Sequence, residues 1–214
     1  MEFISTAIDF FLHIDVHLNE IILQYGTLTY GILFFIIFAE TGFVFTPFLP
    51  GDSLLFAAGT FAARGSFDVY LLAVLLIAAA IAGDNVNYWV GRKLGIKLFE
   101  RYNKLLKKEY LEKTQKFYVK HGGKTIILAR FFPIIRTFSP FVAGLGKMTY
   151  TRFVLNDIAG GITWISIFVF GGYFFGNIPV VQKNFSMVIV VIVVISVIPA
   201  ISGFVRHKLK KKKQ

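Results

Sequence analysis

Two apolar stretches of this chain are broken in the middle by proline and charge. Residues 28–46 read LTYGILFFIIFAETGFVFT, followed by PFLPGDS at 47–53 and LLFAAGTFAA at 54–63. Residues 125–146 read TIILARFFPIIRTFSPFVAGLG. A helix needs about 20 apolar residues to cross a hydrocarbon core of about 30 Å. The ten residues at 54–63, rising ~1.5 Å each, reach only half that depth. A short apolar piece behind a proline-rich break predicts a re-entrant half-helix over 47–66. The same pattern predicts a second over 125–148.

The rest of the chain supplies full spans at 28–46, 69–91, 153–176 and 185–205. Apolar residues make up 56% of the 214 and charged residues 16%, with 25 phenylalanines. One soluble core of this size could not hide that surface, so hydrocarbon must solvate part of it. The predicted fold class is an all-α polytopic membrane protein, an inverted pair of re-entrant broken helices with full transmembrane spans and amphipathic surface helices. An N-terminal amphipathic helix occupies 1–27, where Ile4, Ile8, Phe11, Ile14, Leu18 and Ile21 follow helical spacing. The membrane domain covers 28–206, and a basic tail covers 207–214. Gly172 and Gly176, four apart, predict a close helix approach.

The net charge of +11 would suit nucleic acid, but its placement does not. Eleven of the 23 Lys and Arg lie between Arg92 and Lys124, and six more between Arg206 and Lys213. Both blocks flank apolar runs, as cytoplasmic loops do, and the 92–124 block suits anionic headgroups. Cytoplasmic placement of both blocks puts the N- and C-termini in the cytoplasm. The 47–66 segment then enters from outside and the 125–148 segment from inside. Transporters built on such inverted halves bind substrate where the broken segments meet. The first 27 residues hold no Lys or Arg, so no cleavable signal peptide is expected. The chain has no cysteine, which excludes thiol chemistry.

Four charges sit in the broken segments: Glu40, Asp52, Arg130 and Arg136. Each would cost roughly 2.5–3.5 kcal/mol facing lipid, so they should face one another or a wet cavity. Pro47, Pro50, Gly51, Pro133, Pro140 and Gly144 are the candidate hinge and half-helix residues. Asp52 or Ser53, and Ser139 ahead of Pro140, are placed as N-caps of half-helices. A helix N-terminus offers unpaired N–H groups to an anion, and two guanidinium forks suit phosphate oxygens. Arg130, Arg136, Ser53 and Ser139 are therefore the candidate phosphate-binding residues. Glu40 and Asp52 are the candidates for ion pairing and proton coupling, with proton binding expected to accompany release of the anion. Asp84 and Asp157, near the ends of their spans, are weaker candidates and read as interface polar residues. His13 and His17 are four apart, but two polar-face histidines explain them without a metal.

ETGFVFTPFLPGDSLLFAAG and GGKTIILARFFPIIRTFSPFVAGLG resemble the two signature segments of the DedA family of bacterial inner-membrane proteins. That family shares its core with the eukaryotic VTT-domain lipid scramblases. The resemblance runs over nearly the whole chain, and FLHIDVHL and GYFFGNIPVVQ point to the branch of the family's namesake. It implies movement of undecaprenyl phosphate back across the cytoplasmic membrane, and links to membrane potential, pH homeostasis and resistance to cationic peptides. The charged residues required in family members fall on Glu40, Asp52, Arg130 and Arg136.

The expected function is therefore a flippase-like carrier for a polyprenyl phosphate or phospholipid, linked to the proton-motive force, without cofactor and without nucleic acid. The alternative is a proton or cation antiporter. An enzyme is not expected, since His13, His17, His121 and His207 all lie outside the broken segments and no HExxH motif occurs.

Overall fold

The computed structural model of the chain describes residues 14–43, 51–95, 122–192 and 194. Among these, every regular element is helical. Helix α1 is Ile14–Tyr25, a 3-10 turn covers Gly26–Leu28, and α2 is Thr29–Gly42. Helix α3 is Gly51–Ala63, and α4 is Val69–Val90, ending in a π-turn over Gly91–Gly95. Helices α5 (Gly123–Ala129), α6 (Pro133–Leu145) and α7 (Tyr150–Phe175) follow, then the short α8, Pro179–Lys183. The chain is helical again over 185–192.

Among the described residues, three helical runs are long and apolar enough to cross a membrane: Ile14–Gly42 at 29 residues, Val69–Lys93 at 25 and Tyr150–Phe175 at 26. The last two reach about 38 Å at ~1.5 Å per residue, more than the hydrocarbon core demands. The first run passes through the expected boundary at residue 27, turning at Gly26, whose φ of +53° suits glycine at a helix end. Helices α3 and α6 have 13 residues each, about 20 Å, and neither could span that core alone. Residues 1–13, Pro47, Pro50, the 96–121 stretch with His121, and the chain beyond 194 lie outside the described residues.

The break in the second proline-rich segment corrects the sequence reading. It falls at Pro133, the first residue of α6, behind an extended Phe132 (φ −123°, ψ 103°), as proline imposes on its predecessor. Pro140 does not start a helix. It sits inside α6, so Ser139 is mid-helix and is no N-cap. The physical reason is that Pro140 deletes a single N–H from the ladder, and neighbouring polar groups can accommodate that at membrane depth. Asn87 Nδ2 donates to the Thr137 carbonyl at 2.7 Å, in the turn that Pro140 loosens. Gly144 lies inside α6. A Cβ there would fall on the Tyr88 carbonyl oxygen, so it permits close packing. In the first segment α3 starts at Gly51, which puts Asp52 and Ser53 inside its first turn rather than at its N-cap. Asp52 still complements the helix dipole there.

Contacts divide the chain into two compact units, one holding residues 14–31, 51–73 and those from 166 on, the other 32–43, 74–95 and 122–165. In the first unit α3 is buried on nearly every side, from Ser53 to Ala62. Its Gly59 faces the Val169 carbonyl, and Gly172 and Gly176 face Phe56 and Thr60. The Thr60 hydroxyl donates to the carbonyls of Phe56 (3.1 Å) and Gly172 (3.3 Å). The predicted close approach at Gly172 and Gly176 is therefore a contact with α3. In the second unit Gly83 abuts Thr41 and the Phe38 carbonyl, and Gly91 the Phe141 carbonyl. Tyr88 stacks on Phe153 with centroids 4.4 Å apart and donates to the Met148 carbonyl at 2.5 Å.

Candidate functional site

The second unit gathers five charged side chains in its interior: Glu40, Asp84, Arg130, Arg136 and Asp157, all buried. Helical spacing explains how each is aimed. On α4, Asp84, Asn87 and Tyr88 occupy positions i, i+3 and i+4 and so share a face. On α7, Asp157, Gly160, Gly161 and Trp164 do the same over two turns. Arg130 lies just past α5, in the 3-10-like turn before Pro133, where the Arg130 N–H reaches the Ile127 carbonyl at 3.3 Å. Arg136 lies one turn inside α6, and Glu40 is near the end of α2.

Arg136 Nη2 pairs with Glu40 Oε1. Arg130 Nη2 pairs with Asp84 Oδ2 and, at 2.6 Å, with Asp157 Oδ1. One nitrogen therefore serves two carboxylates, one from α4 and one from α7. The indole of Trp164, fully buried, lies beneath both guanidiniums, with the Arg136 Cζ 4.3 Å from its ring centre and the Arg130 Cζ 5.9 Å. Each contact adds a cation–π attraction that is strongest where water is excluded. Asn87 Nδ2 joins α2 and α6 by donating to the Thr41 and Thr137 carbonyls, at 3.1 and 2.7 Å.

Room for Arg130 comes from α7. A Cβ at Gly160 would lie 2.9 Å from Arg130 Cδ, and one at Gly161 would lie 3.6 Å from its Cζ. Among the described residues, Arg130 Nε and Nη1 have no hydrogen-bond partner, although the side chain is buried. A buried donor without a partner costs about 1–3 kcal/mol. Nε–H and Nη1–H point from different edges of the guanidinium, so each is a separate donor that an anionic oxygen can take.

The four charges read from the sequence are placed unequally. Glu40 and Arg136 form a pair, and Arg130 joins Arg136 around Trp164. Asp52 and Ser53 belong to the other unit. Ser53 is buried, and its hydroxyl has no hydrogen-bond partner among the described residues. Ser139 is buried in α6, one turn beyond Arg136. The sequence reading missed Asp84 and Asp157 as the partners of Arg130, having placed both as interface residues. A signal was present: an aspartate, a Gly-Gly pair and a tryptophan on one face of a long apolar helix. His17 lies 3.5 Å from Glu20. Among the described residues no group of His, Asp or Glu could hold a metal.

A family profile described as the VTT domain matches residues 49–174. Protein DedA of Escherichia coli K12 is 54% identical over 211 residues, covering 97% of this chain and 96% of that protein. The uncharacterized membrane protein Rv0364 of Mycobacterium tuberculosis H37Rv is 42% identical over 179 residues, 82% of this chain and 78% of its own. The inner membrane protein YqjA of E. coli K12 is 34% identical over 155 residues, 72% and 70% of the two chains. No solved structure matches the chain.

Proposed function

This chain belongs to the DedA family of VTT-domain membrane proteins, and from that membership and the chemistry around Arg130 we propose that it transports a lipid-linked phosphate across the bacterial cytoplasmic membrane. Undecaprenyl phosphate is the preferred substrate in this reading, and the proton-motive force drives its movement. One observation carries the proposal. Arg130 is held by two carboxylates through one nitrogen, and its other two nitrogens have no partner among the described residues. Those atoms and the neighbouring Arg136 would receive the phosphate, while the isoprenoid tail stays in hydrocarbon. Helices α3 and α6, each too short to cross, would enter the membrane and return on the side they came from. The name of the inner membrane relative supports placement in the cytoplasmic membrane, and the basic blocks at 92–124 and 206–213 would face the cytoplasm.

Reconstitution in liposomes tests the proposal. Labelled polyprenyl phosphate, labelled phospholipid and a membrane-potential dye are followed side by side. Wild-type protein should move the polyprenyl phosphate. Arg136→Ala should abolish movement, and Arg136→Lys should restore only part of it, because an ammonium lacks the planar fork. Full transport by both variants would remove the phosphate reading. Proton or cation flux with no lipid movement would favour an antiporter, to which the buried pair Asp84 and Asp157 would also be suited.

A further inference from the structure

Among the described residues, three carboxylates and two guanidiniums occupy the interior of the second unit. Fully ionised, they carry one excess negative charge. Glu40 and Arg136 balance each other, so the excess falls on Asp84 and Asp157, which share Arg130 Nη2. Both aspartates are buried to about 1% exposure or less. An uncompensated charge at that depth costs several kcal/mol. Among the described residues, the titratable groups facing the pair are Arg130, from the turn after α5, and Arg136, from α6, which is itself paired with Glu40 of α2. None of these supplies a third positive charge.

The two carboxyls are also neighbours, meeting at one Arg130 nitrogen. Two carboxylates cannot hydrogen-bond each other, because each is an acceptor only. With both ionised, Asp84 Oδ1 and Asp157 Oδ2 have no donor among the described residues. One proton resolves both faults. It neutralises the excess charge and gives the pair a donor.

We propose that Asp84 and Asp157 share one proton, and that this proton and the anion at Arg130 bind together and leave together. The proton comes from water and is returned to water; no covalent bond to carbon or phosphorus changes. When it leaves, the cluster becomes negative beside the guanidinium that holds the anion, and the anion is repelled. By linkage, the bound anion holds the proton more tightly in return. Proton and phosphate therefore move in the same direction, with the proton carried by the Asp84 and Asp157 pair. The anion half of this inference rests on the phosphate reading above; the proton half does not.

Infrared spectroscopy of the full-length protein in lipid nanodiscs tests the proton half. At neutral pH the wild-type protein should show a protonated-carboxyl band. Asp84→Asn and Asp157→Asn should each lose it, since the remaining carboxylate then pairs one-to-one with Arg130. Asp157→Glu should shift the band, and Asp52→Asn should keep it. No band in the wild-type protein, or a band that survives both asparagine variants, overturns the proposal. The linkage is read from binding of farnesyl phosphate and of inorganic phosphate. Wild-type affinity should fall by up to about tenfold per pH unit once the band titrates away, while Asp157→Asn keeps only the pH dependence of the phosphate's own second ionisation. A wild-type pH dependence equal to that of Asp157→Asn overturns the coupling. Absence of any phosphate binding would sink the phosphate reading, and the infrared result would still decide the proton site.

Discussion

Glycines bring helices close in both units, and two of these contacts serve different ends. In the first unit Gly59 of α3 and Gly172 of α7 meet opposing backbone, and the Thr60 hydroxyl closes the contact on carbonyls. In the second unit Gly160 and Gly161, on the same helix α7, clear space for the Arg130 side chain. One contact packs peptide against peptide, as helices in lipid do when no hydrophobic force separates protein from solvent. The other houses charge. A small residue in a membrane helix therefore does not declare its purpose; the element across from it decides whether the space is filled by a carbonyl or by a guanidinium.

The largest difference should come from the charged contact. Arg130→Ala leaves Asp84 and Asp157 buried without their cation, and should destabilise the protein by about 3–5 kcal/mol, seen as an earlier thermal unfolding in detergent. Arg130→Ala with unchanged unfolding would mean that the ion pairs do not hold the second unit together. Next, Gly59→Val sets a side chain against the Val169 carbonyl, which cannot yield, and should cost about 1–3 kcal/mol with phosphate affinity retained. Gly160→Ala sets a methyl 2.9 Å from Arg130 Cδ and 3.3 Å from the Ile127 Cα, so stability should fall by about 1 kcal/mol while phosphate binding weakens. If Gly160→Ala loses stability and keeps affinity, the two contacts are alike and the distinction drawn here is lost. The smallest effect belongs to Thr60→Val, which deletes one hydrogen bond and should cost about 1 kcal/mol with no change in binding.

Much of this was legible before any coordinates. The apolar runs at 69–91 and 153–176 became α4 and α7 nearly at the predicted bounds, because solvation by hydrocarbon depends on composition alone. The helix start near Gly51 and the break at Pro133 followed from proline's fixed φ and missing N–H. The same rule misplaced a break at Pro140. There α6 runs on through the missing N–H, and the adjacent turn is held by Asn87, 50 positions distant from the Thr137 carbonyl it reaches. No local rule contains that donor. Glu40, Arg130 and Arg136 were singled out by their cost in hydrocarbon. Asp84 and Asp157 obey the same cost, but their positions toward span ends offered them water as an alternative, and the sequence could not rank the two.

The amino-acid sequence by itself determined that this chain is helical, that it lives in a membrane, and which two segments are broken, because periodicity, proline chemistry and transfer from water act over a few neighbouring residues. Tertiary structure alone decided who neutralises whom. Arg136 finds Glu40 across 96 positions, and Arg130 finds Asp84 and Asp157 across 46 and 27. The reason is that an ion pair is fixed by the distance between two atoms, and that distance is set by how helices pack, through glycines on α4 and α7 whose sequence neighbours give no hint of what they face.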